Sequence, residues 1–190
     1  YTSRGKRGLV LFRHGDWNDS MNGVGLQGKG ESVWLTLATI KAHNEFIEIL
    51  EFCGKGEMVA EYAARRDELK AAVQKYGADG DHLLYGYNDY DEKIGADENE
   101  YMDAVEKRLL CDFGYVQCAP SYKEGTEYIG RVSYFKEGLI ENGSVYNHGV
   151  AFKIVADCLL GRGDNAYETL KKISYDNPKN ADNGAEPYAF

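Results

Sequence analysis

Asp16-Trp17-Asn18-Asp19-Ser20-Met21-Asn22, followed by Gln27-Gly28-Lys29-Gly30-Glu31-Ser32-Val33-Trp34, is the stretch around which the chain is organised. Two carboxylates and an amide flank an indole, glycines stand nearby, and an apolar helical pattern opens directly after. Asx side chains turn and cap the backbone, and glycine admits φ values closed to other residues. The run therefore reads as a loop delivered to the rim of a helical scaffold. Its residue types suit a sugar: an aromatic face for C–H stacking, and carboxylates that hydrogen-bond hydroxyls or move a proton. On residue types alone it also reads as an ordinary turn with Trp17 as a core plug.

Outward from the loop, the periodicity is helical. From Glu31 to about Phe52, Val33, Leu37, Ile40 and Ile47 share a face that Trp34, Leu35, Phe46, Ile49 and Leu50 widen. A helix so broadly apolar is expected to be an inner, largely buried one, with Glu31 in its first turn, where the macrodipole favours an acid. Gly54-Lys55-Gly56 ends it, and Glu57 to about Tyr76 forms a second helix with Gly77 as its cap. The charge run Arg65-Arg66-Asp67-Glu68 with Lys70 reads as a solvated face. Two helices on a short glycine link make an αα-hairpin, the repeating unit of an α/α-barrel.

Beyond Tyr76 a short strand is expected over 83–87, then the acidic stretch Asn88-Asp89-Tyr90-Asp91-Glu92 as a solvated loop without EF-hand spacing. Met102 to Leu110 reads as a short helix, and Asp112 to Gly138 as loop. A third apolar helix runs from about Asn147 to Gly161-Arg162-Gly163, and Asp164 is placed as the N-cap of a helix reaching about Ile173. The expected fold class is all-α, with a short β segment in the loops.

Composition narrows the function. A chain of 190 residues can build one domain with a sizeable core. A net charge of −9 argues against a phosphate-backbone partner, so no nucleic acid is expected. Cys53, Cys111, Cys118 and Cys158 lack metal-ligand spacing and read as buried reduced thiols of a cytoplasmic protein. No apolar run reaches the length of a membrane span. His14, His43, His82 and His148 are scattered, so no metal site is expected.

The segment Asp16-Trp17-Asn18-Asp19 with Gly28-Lys29-Gly30-Glu31-Ser32-Val33-Trp34 resembles the catalytic segment of the β-glucoside phosphorylases of glycoside hydrolase family 94. That family includes cellobiose, chitobiose and β-1,2-oligoglucan phosphorylases. Glu141-Asn142-Gly143 through Tyr146 and His148, with Leu160-Gly161-Arg162-Gly163-Asp164, resembles a second family block, and Glu186-Pro187-Tyr188-Ala189-Phe190 a third. The resemblance runs over 8–100 and 102–190. It implies an (α/α)6 barrel, of which residues 1–190 would be a single partial catalytic domain, cut at both ends. Relatives carry an Asn-x-Gln-x-Trp-Ala segment after a stretch like 95–100, whereas this chain passes straight into Tyr101-Met102-Asp103. One inner helix would then be missing. The relatives' arginines for phosphate and sugar would lie before Tyr1, and their Thr-Gly phosphate loop after Phe190.

The resemblance also implies a chemistry. Asp19 corresponds to the general acid that protonates the glycosidic oxygen while inorganic phosphate, a co-substrate, attacks the anomeric carbon from the opposite face. Phosphate is already a competent nucleophile, so no second carboxylate is needed as a base, and no cofactor is implied. A general acid must carry a proton into the reaction, so in the complete site Asp19 is expected to be buried beside Trp17 with the charge of Asp16 nearby. Trp17 would wall the subsite of the cleaved sugar. Asp16 reads equally as an Asx-turn residue or as a sugar contact. Glu141 would accept hydrogen bonds from sugar hydroxyls, and His148, near a helix start that favours an anion, would donate to phosphate. The implied partner is a β-linked gluco-oligosaccharide, with Arg13-His14-Gly15 and Val24-Gly25-Leu26 leaning towards the β-1,2-oligoglucan group, and the longer parent would be a homodimer. An inverting hydrolase on the same fold and a non-catalytic sugar-binding fragment are the alternatives.

Overall fold

The computed structural model describes residues 3–79, 82–95 and 101–179, so the third family block, Glu186 to Phe190, and the junction at 96–100 lie outside the described residues. In chain order the strands are β1 (Val10–Leu11), β2 (Glu31–Ser32), β3 (Ala78–Asp79), β4 (His82–Leu83), β5 (Gly86–Tyr87), β6 (Lys93–Ile94), β7 (Leu110–Cys111) and β8 (Gly114–Tyr115). The helices are α1 (Val33–Phe52), α2 (Gly56–Tyr76), α3 (Tyr101–Arg108), α4 (Asn147–Leu159) and α5 (Gly163–Ile173). The chain divides into two compact units, Tyr1–Tyr101 with Thr126–Arg131, and Met102–Gly125 with Val132–Phe190.

The first unit joins the α1–α2 hairpin to a four-stranded antiparallel sheet of order β1-β2-β5-β6. Val10 faces Ser32, Glu31 faces Tyr87, and Tyr87 faces Lys93 across the ladders. Leu9, Val33, Ala72, Val73, Leu84 and Tyr87 close the core between helices and sheet. Thr36 stitches the two layers. Its buried hydroxyl donates to Ser32 O (2.6 Å) and accepts from Val10 N (2.9 Å), so neither group is buried without a partner.

Three expectations need correction in this unit. Glu31 does not open the helix: it lies in β2, fully buried, and its carboxylate accepts from Arg7 N (2.9 Å) and Arg7 Nη1 (2.8 Å). The Arg7 guanidinium stacks 3.7 Å from the Tyr87 ring centroid, so the buried acid is paired as burial of a charge requires. Ser32 is the true N-cap of α1, its hydroxyl accepting from Leu35 N at 2.9 Å. Nor is α1 largely buried, since Leu37, Phe46, Ile49 and Phe52 are exposed. The acidic stretch at 88–92 is solvated only in part, with Tyr90, Asp91 and Glu92 exposed. Asp89 is buried, and Asp91 pairs with Arg7 (3.0 Å) and Lys6.

The second unit contains α3, the tight β7–β8 hairpin, a long loop, and a second αα-hairpin of α4 and α5. Its centre is polar. The Lys153 ammonium, only 8% exposed, lies 2.6 Å from Asp157 Oδ2 and donates to Glu106 Oε1 (2.7 Å), Tyr115 OH (3.0 Å) and Thr169 Oγ1 (3.0 Å). Burial works against the charge on Lys153, but Asp157, Glu106 and Tyr115 outweigh it and hold the ammonium well above its ordinary range. Arg162 Nε adds a second cation 3.4 Å from Asp157 Oδ1.

Two more corrections arise here. α5 begins at Gly163 with Arg162 at its N-cap position, which places Asp164 inside the first turn. The Arg162 N–H is instead spent on Asp157 O (2.8 Å), and Asp164 still meets the helix dipole favourably. The cysteines are free, as expected, but not buried: Cys53 and Cys158 are exposed, Cys111 and Cys118 half-buried.

The buried pair and an exposed one give opposite expectations. Lys153→Met, which strands Glu106 and the fully buried Asp157, should cost about 3 kcal/mol in urea unfolding. Lys171→Met, which breaks an exposed contact to Glu168, should leave the urea midpoint close to that of wild type. Equal losses would contradict this picture of the second unit.

Candidate active site

Within the first unit the structure brings Asp16, Trp17 and Asp19 together on one loop. Asp16 is the anchor. Its Oδ1 accepts from Asn18 N (2.9 Å) and Tyr85 OH (2.6 Å), and its Oδ2 from Ser32 Oγ (2.9 Å). The first of these is the Asx turn that the sequence allows. The other two fasten the loop to β2 at the α1 N-cap and to the segment before β5. Asn18 then caps the single 3-10 turn Asp19–Met21, its Oδ1 accepting from Ser20 N (3.1 Å) and Ser20 Oγ (2.6 Å). Trp17 stacks on Trp34, ring centroids 6.1 Å apart and planes 27° from parallel, which fixes the indole against the first turn of α1.

Asp19 departs from expectation. It is exposed rather than buried beside Trp17, and its carboxylate accepts no hydrogen bond from any described residue. The cause is local: at the first position of the 3-10 turn its side chain points outward, while Ser20 and Met21 are buried behind it. Asp16 and Asp19 thus do different work. One is spent on holding the backbone, and the other is left for solvent.

The second half of the loop has its own anchor. Asp89 accepts from Gln27 N (2.7 Å), Lys29 N (2.9 Å) and Gly30 N (2.9 Å), and its own N–H donates to Val24 O (3.0 Å). Gly28, at φ +77°, makes the turn that aims those N–H groups at one carboxylate. The far side is tied by Asn22 Oδ1, which accepts from Arg131 N (3.0 Å), and by Gly23 N, which donates to Ile129 O (3.1 Å).

Glu141 and His148 lie in the second unit. His148 is exposed at the second position of α4, between the rings of Tyr146 (centroids 6.0 Å) and Phe152 (5.0 Å). The first turn of α4 has no side-chain cap, the setting that favours an anion. Glu141 is half-buried, with Oε2 enclosed and accepting no hydrogen bond from the described residues. Its neighbour Asn142 is fully buried and satisfied, donating to Tyr122 O (3.0 Å) and Phe135 O (2.8 Å) and accepting from Tyr122 N (2.7 Å). Tyr122 is pushed up to about 12 by burial, with the nearby Cys118 adding to it.

Sequence reasoning misses Ser32, Tyr85, Asp89 and Asn142, all of which hold the loops rather than line them. Asn142 stands inside the second family block, and Ser32 ahead of a helix pattern is a capping signal. Tyr85 and Asp89 give no signal, because their partners are 69 and between 59 and 62 residues away in the chain.

Burial pushes the Asp16 carboxyl up from its ordinary 3.8. Its hydrogen bonds from Tyr85, Asn18 and Ser32 oppose that rise, and the nearby Asp19 charge adds to it. The folded chain therefore holds this proton more tightly than the unfolded chain. That contribution to stability is complete below the ordinary value and is lost as pH rises through the folded one. Urea unfolding from about pH 3 to about pH 7 should show wild type losing stability relative to Asp16→Asn, which cannot titrate. A difference that is flat or widens in favour of wild type would contradict this assignment.

The family model of the glycosyl hydrolase 94 superfamily, catalytic domain, matches the chain in two segments, residues 1–101 and 99–190. Solabiose phosphorylase of Paenibacillus borealis is 39% identical over 217 aligned residues, covering 98% of this chain and 28% of its own length. The 3-O-beta-D-glucopyranosyl-beta-D-glucuronide phosphorylase of the same organism is 31% identical, over 96% of this chain and 27% of its own. Cellobionic acid phosphorylase of Neurospora crassa is 28% identical, over 90% and 25%. The chain spans less than a third of the length of these relatives. The first matched segment contains the Asp16–Asp19 loop and the second the Glu141–His148 stretch, and the chain belongs to the glycosyl hydrolase 94 superfamily, of whose catalytic domain it is a part.

Proposed function

We propose that the chain is part of a single catalytic domain of an inverting β-glycoside phosphorylase, with Asp19 as its general acid. The observation that carries this is the division between two carboxylates on one short loop. Asp16 accepts three hydrogen bonds, whereas Asp19 is exposed and accepts none from the described residues. A carboxyl that must give up a proton to a ligand has to be unengaged in the unliganded chain, on a backbone that does not give way.

In this reading Asp19 protonates the glycosidic oxygen as phosphate attacks the anomeric carbon from the other face, and the sugar leaves as an α-sugar 1-phosphate. Trp17, braced by Trp34, walls the subsite of the transferred unit, and Asp16 sets the loop beneath it. Glu141 takes sugar hydroxyls. His148 donates to phosphate beside the uncapped first turn of α4, where partial positive charge adds to the attraction. Phosphate is the co-substrate, no cofactor takes part, and the enzyme is cytoplasmic and, in its longer form, a homodimer. The substrate is a β-linked gluco-oligosaccharide, with the β-1,2 linkage preferred. Phosphorylases of β-glucosyl and related disaccharides among the relatives support the substrate class.

The αα-hairpin in each unit supports an incomplete (α/α)6 barrel. The alignment with solabiose phosphorylase, 217 positions against 190 residues, is what a chain lacking an internal family segment would give.

The test is to incubate the chain with β-linked glucose disaccharides, with and without inorganic phosphate, and assay sugar 1-phosphate. Phosphate-dependent product is expected, reduced by at least about a hundredfold in Asp19→Asn. Free sugar formed without phosphate would favour an inverting hydrolase. Sugar binding without turnover would favour a non-catalytic fragment, and near-normal turnover by Asp19→Asn would overturn the assignment of the acid.

A further inference from the structure

We infer that Gln117 is a second acceptor for sugar hydroxyls beside Glu141, so that the two loops carrying them form one side of a sugar subsite. The inference rests on the reading of Glu141 as a sugar contact. Among the described residues the buried side-chain oxygens that accept no hydrogen bond are Gln117 Oε1, Glu141 Oε2 and the two of Asp157. Asp157 is compensated by the charges of Lys153 and Arg162. That leaves Gln117 and Glu141.

These two residues stand on loops that are stitched together. Gln117 N donates to Ser144 O (2.9 Å), and Val116 bridges Val145. Asn142 bonds both backbone groups of Tyr122 (2.7 and 3.0 Å), and a Cβ at Gly143 would stand 2.3 Å from Ser121 Oγ. Between them the backbone is strained. Ile140, directly before Glu141, is β-branched and sits at φ +51°. The neighbouring bonds Asn142 N to Leu139 O (2.9 Å) and Gly138 N to Asn142 O (2.8 Å) hold it there.

Strain and unsatisfied acceptors both cost stability, and they persist where a ligand draws on them. The chemistry of that ligand follows from the acceptors. Gln117 Oε1 and Glu141 Oε2 both lack a donor among the described residues, so the ligand must bring hydrogen. Glu141 repels an anion, so phosphate does not satisfy this pair. A polyol does, through two hydroxyls, one to the Gln117 amide oxygen and one to the Glu141 carboxylate.

The decisive experiment is a calorimetric titration of the chain, Gln117→Met and Glu141→Gln with sophorose and with cellobiose, with melting curves of each protein without sugar. Methionine keeps the length of glutamine and removes the orphaned acceptor. Gln117→Met is expected to bind the preferred disaccharide about tenfold more weakly, yet to melt at an equal or higher temperature than wild type. Unchanged affinity in Gln117→Met with weakened affinity in Glu141→Gln overturns the role of Gln117 and leaves the phosphorylase reading standing. A lower melting temperature with unchanged affinity assigns Gln117 a purely structural part and overturns the inference. If wild type binds neither disaccharide, both readings fall. Calcium binding that Gln117→Met abolishes would make the pair a cation site and likewise overturn the inference.

Discussion

The Asp16 carboxylate is the constraint from which the first unit takes its form. Three donors converge on it: the Asn18 N–H from its own loop, the Ser32 hydroxyl from the N-cap of α1, and the Tyr85 hydroxyl from the segment beyond α2. Loop, helix start and sheet are thereby joined at one point. A partly buried carboxylate is costly; the three hydrogen bonds reduce that cost without cancelling it, and burial still pushes the carboxyl up. The residues C-terminal to Asp16 take their places from it. Asn18 caps the 3-10 turn, Trp17 lies against Trp34, and Asp19 faces outward because the other side of the turn is packed.

The same device recurs. Asp89 gathers three backbone N–H groups from Gln27 to Gly30, and Glu31 takes the backbone and guanidinium of Arg7. In the second unit Asn142 does for its loop what Asp89 does for the other, with a neutral amide that donates as well as accepts. The loops proposed as catalytic are therefore not loose appendages. Each is held by polar side chains, Asp16 and the buried Asp89 in the first unit and the buried Asn142 in the second, and the groups proposed to meet a ligand stand close by in the chain: Asp19 next to Asn18, and Glu141 next to Asn142.

Local features are legible in the sequence. The α1–α2 hairpin, the glycine breaks and the helix from Asn147 follow from periodicity and from residues near one another in the chain. The eight two-residue strands among the described residues are mostly invisible, because two residues cannot show alternation. Glu31 misleads because an acid before a helix looks like a dipole partner, and nothing in the sequence shows that Arg7 folds over it. The burial of α1 is overestimated for a related reason. Periodicity counts apolar faces and not what covers them, and Leu37, Ile49 and Phe52 are exposed. The motif itself locates Asp16, Trp17 and Asp19 on one loop, but two of the three donors that engage Asp16 lie far from it in the chain: Ser32, 16 residues away, and Tyr85, 69 residues away.

The functional reading comes down to one proton donor on the Asp19 loop and one anion arriving from the opposite side of the sugar. That geometry has a stereochemical consequence that no rearrangement of loops can imitate. Phosphorus-decoupled and coupled proton NMR of the first product formed from a β-linked glucose disaccharide and inorganic phosphate reads it directly. Single-displacement attack gives the α-sugar 1-phosphate from the first turnover. A β-sugar 1-phosphate, which requires a covalent intermediate and a second carboxylate as nucleophile, would contradict it.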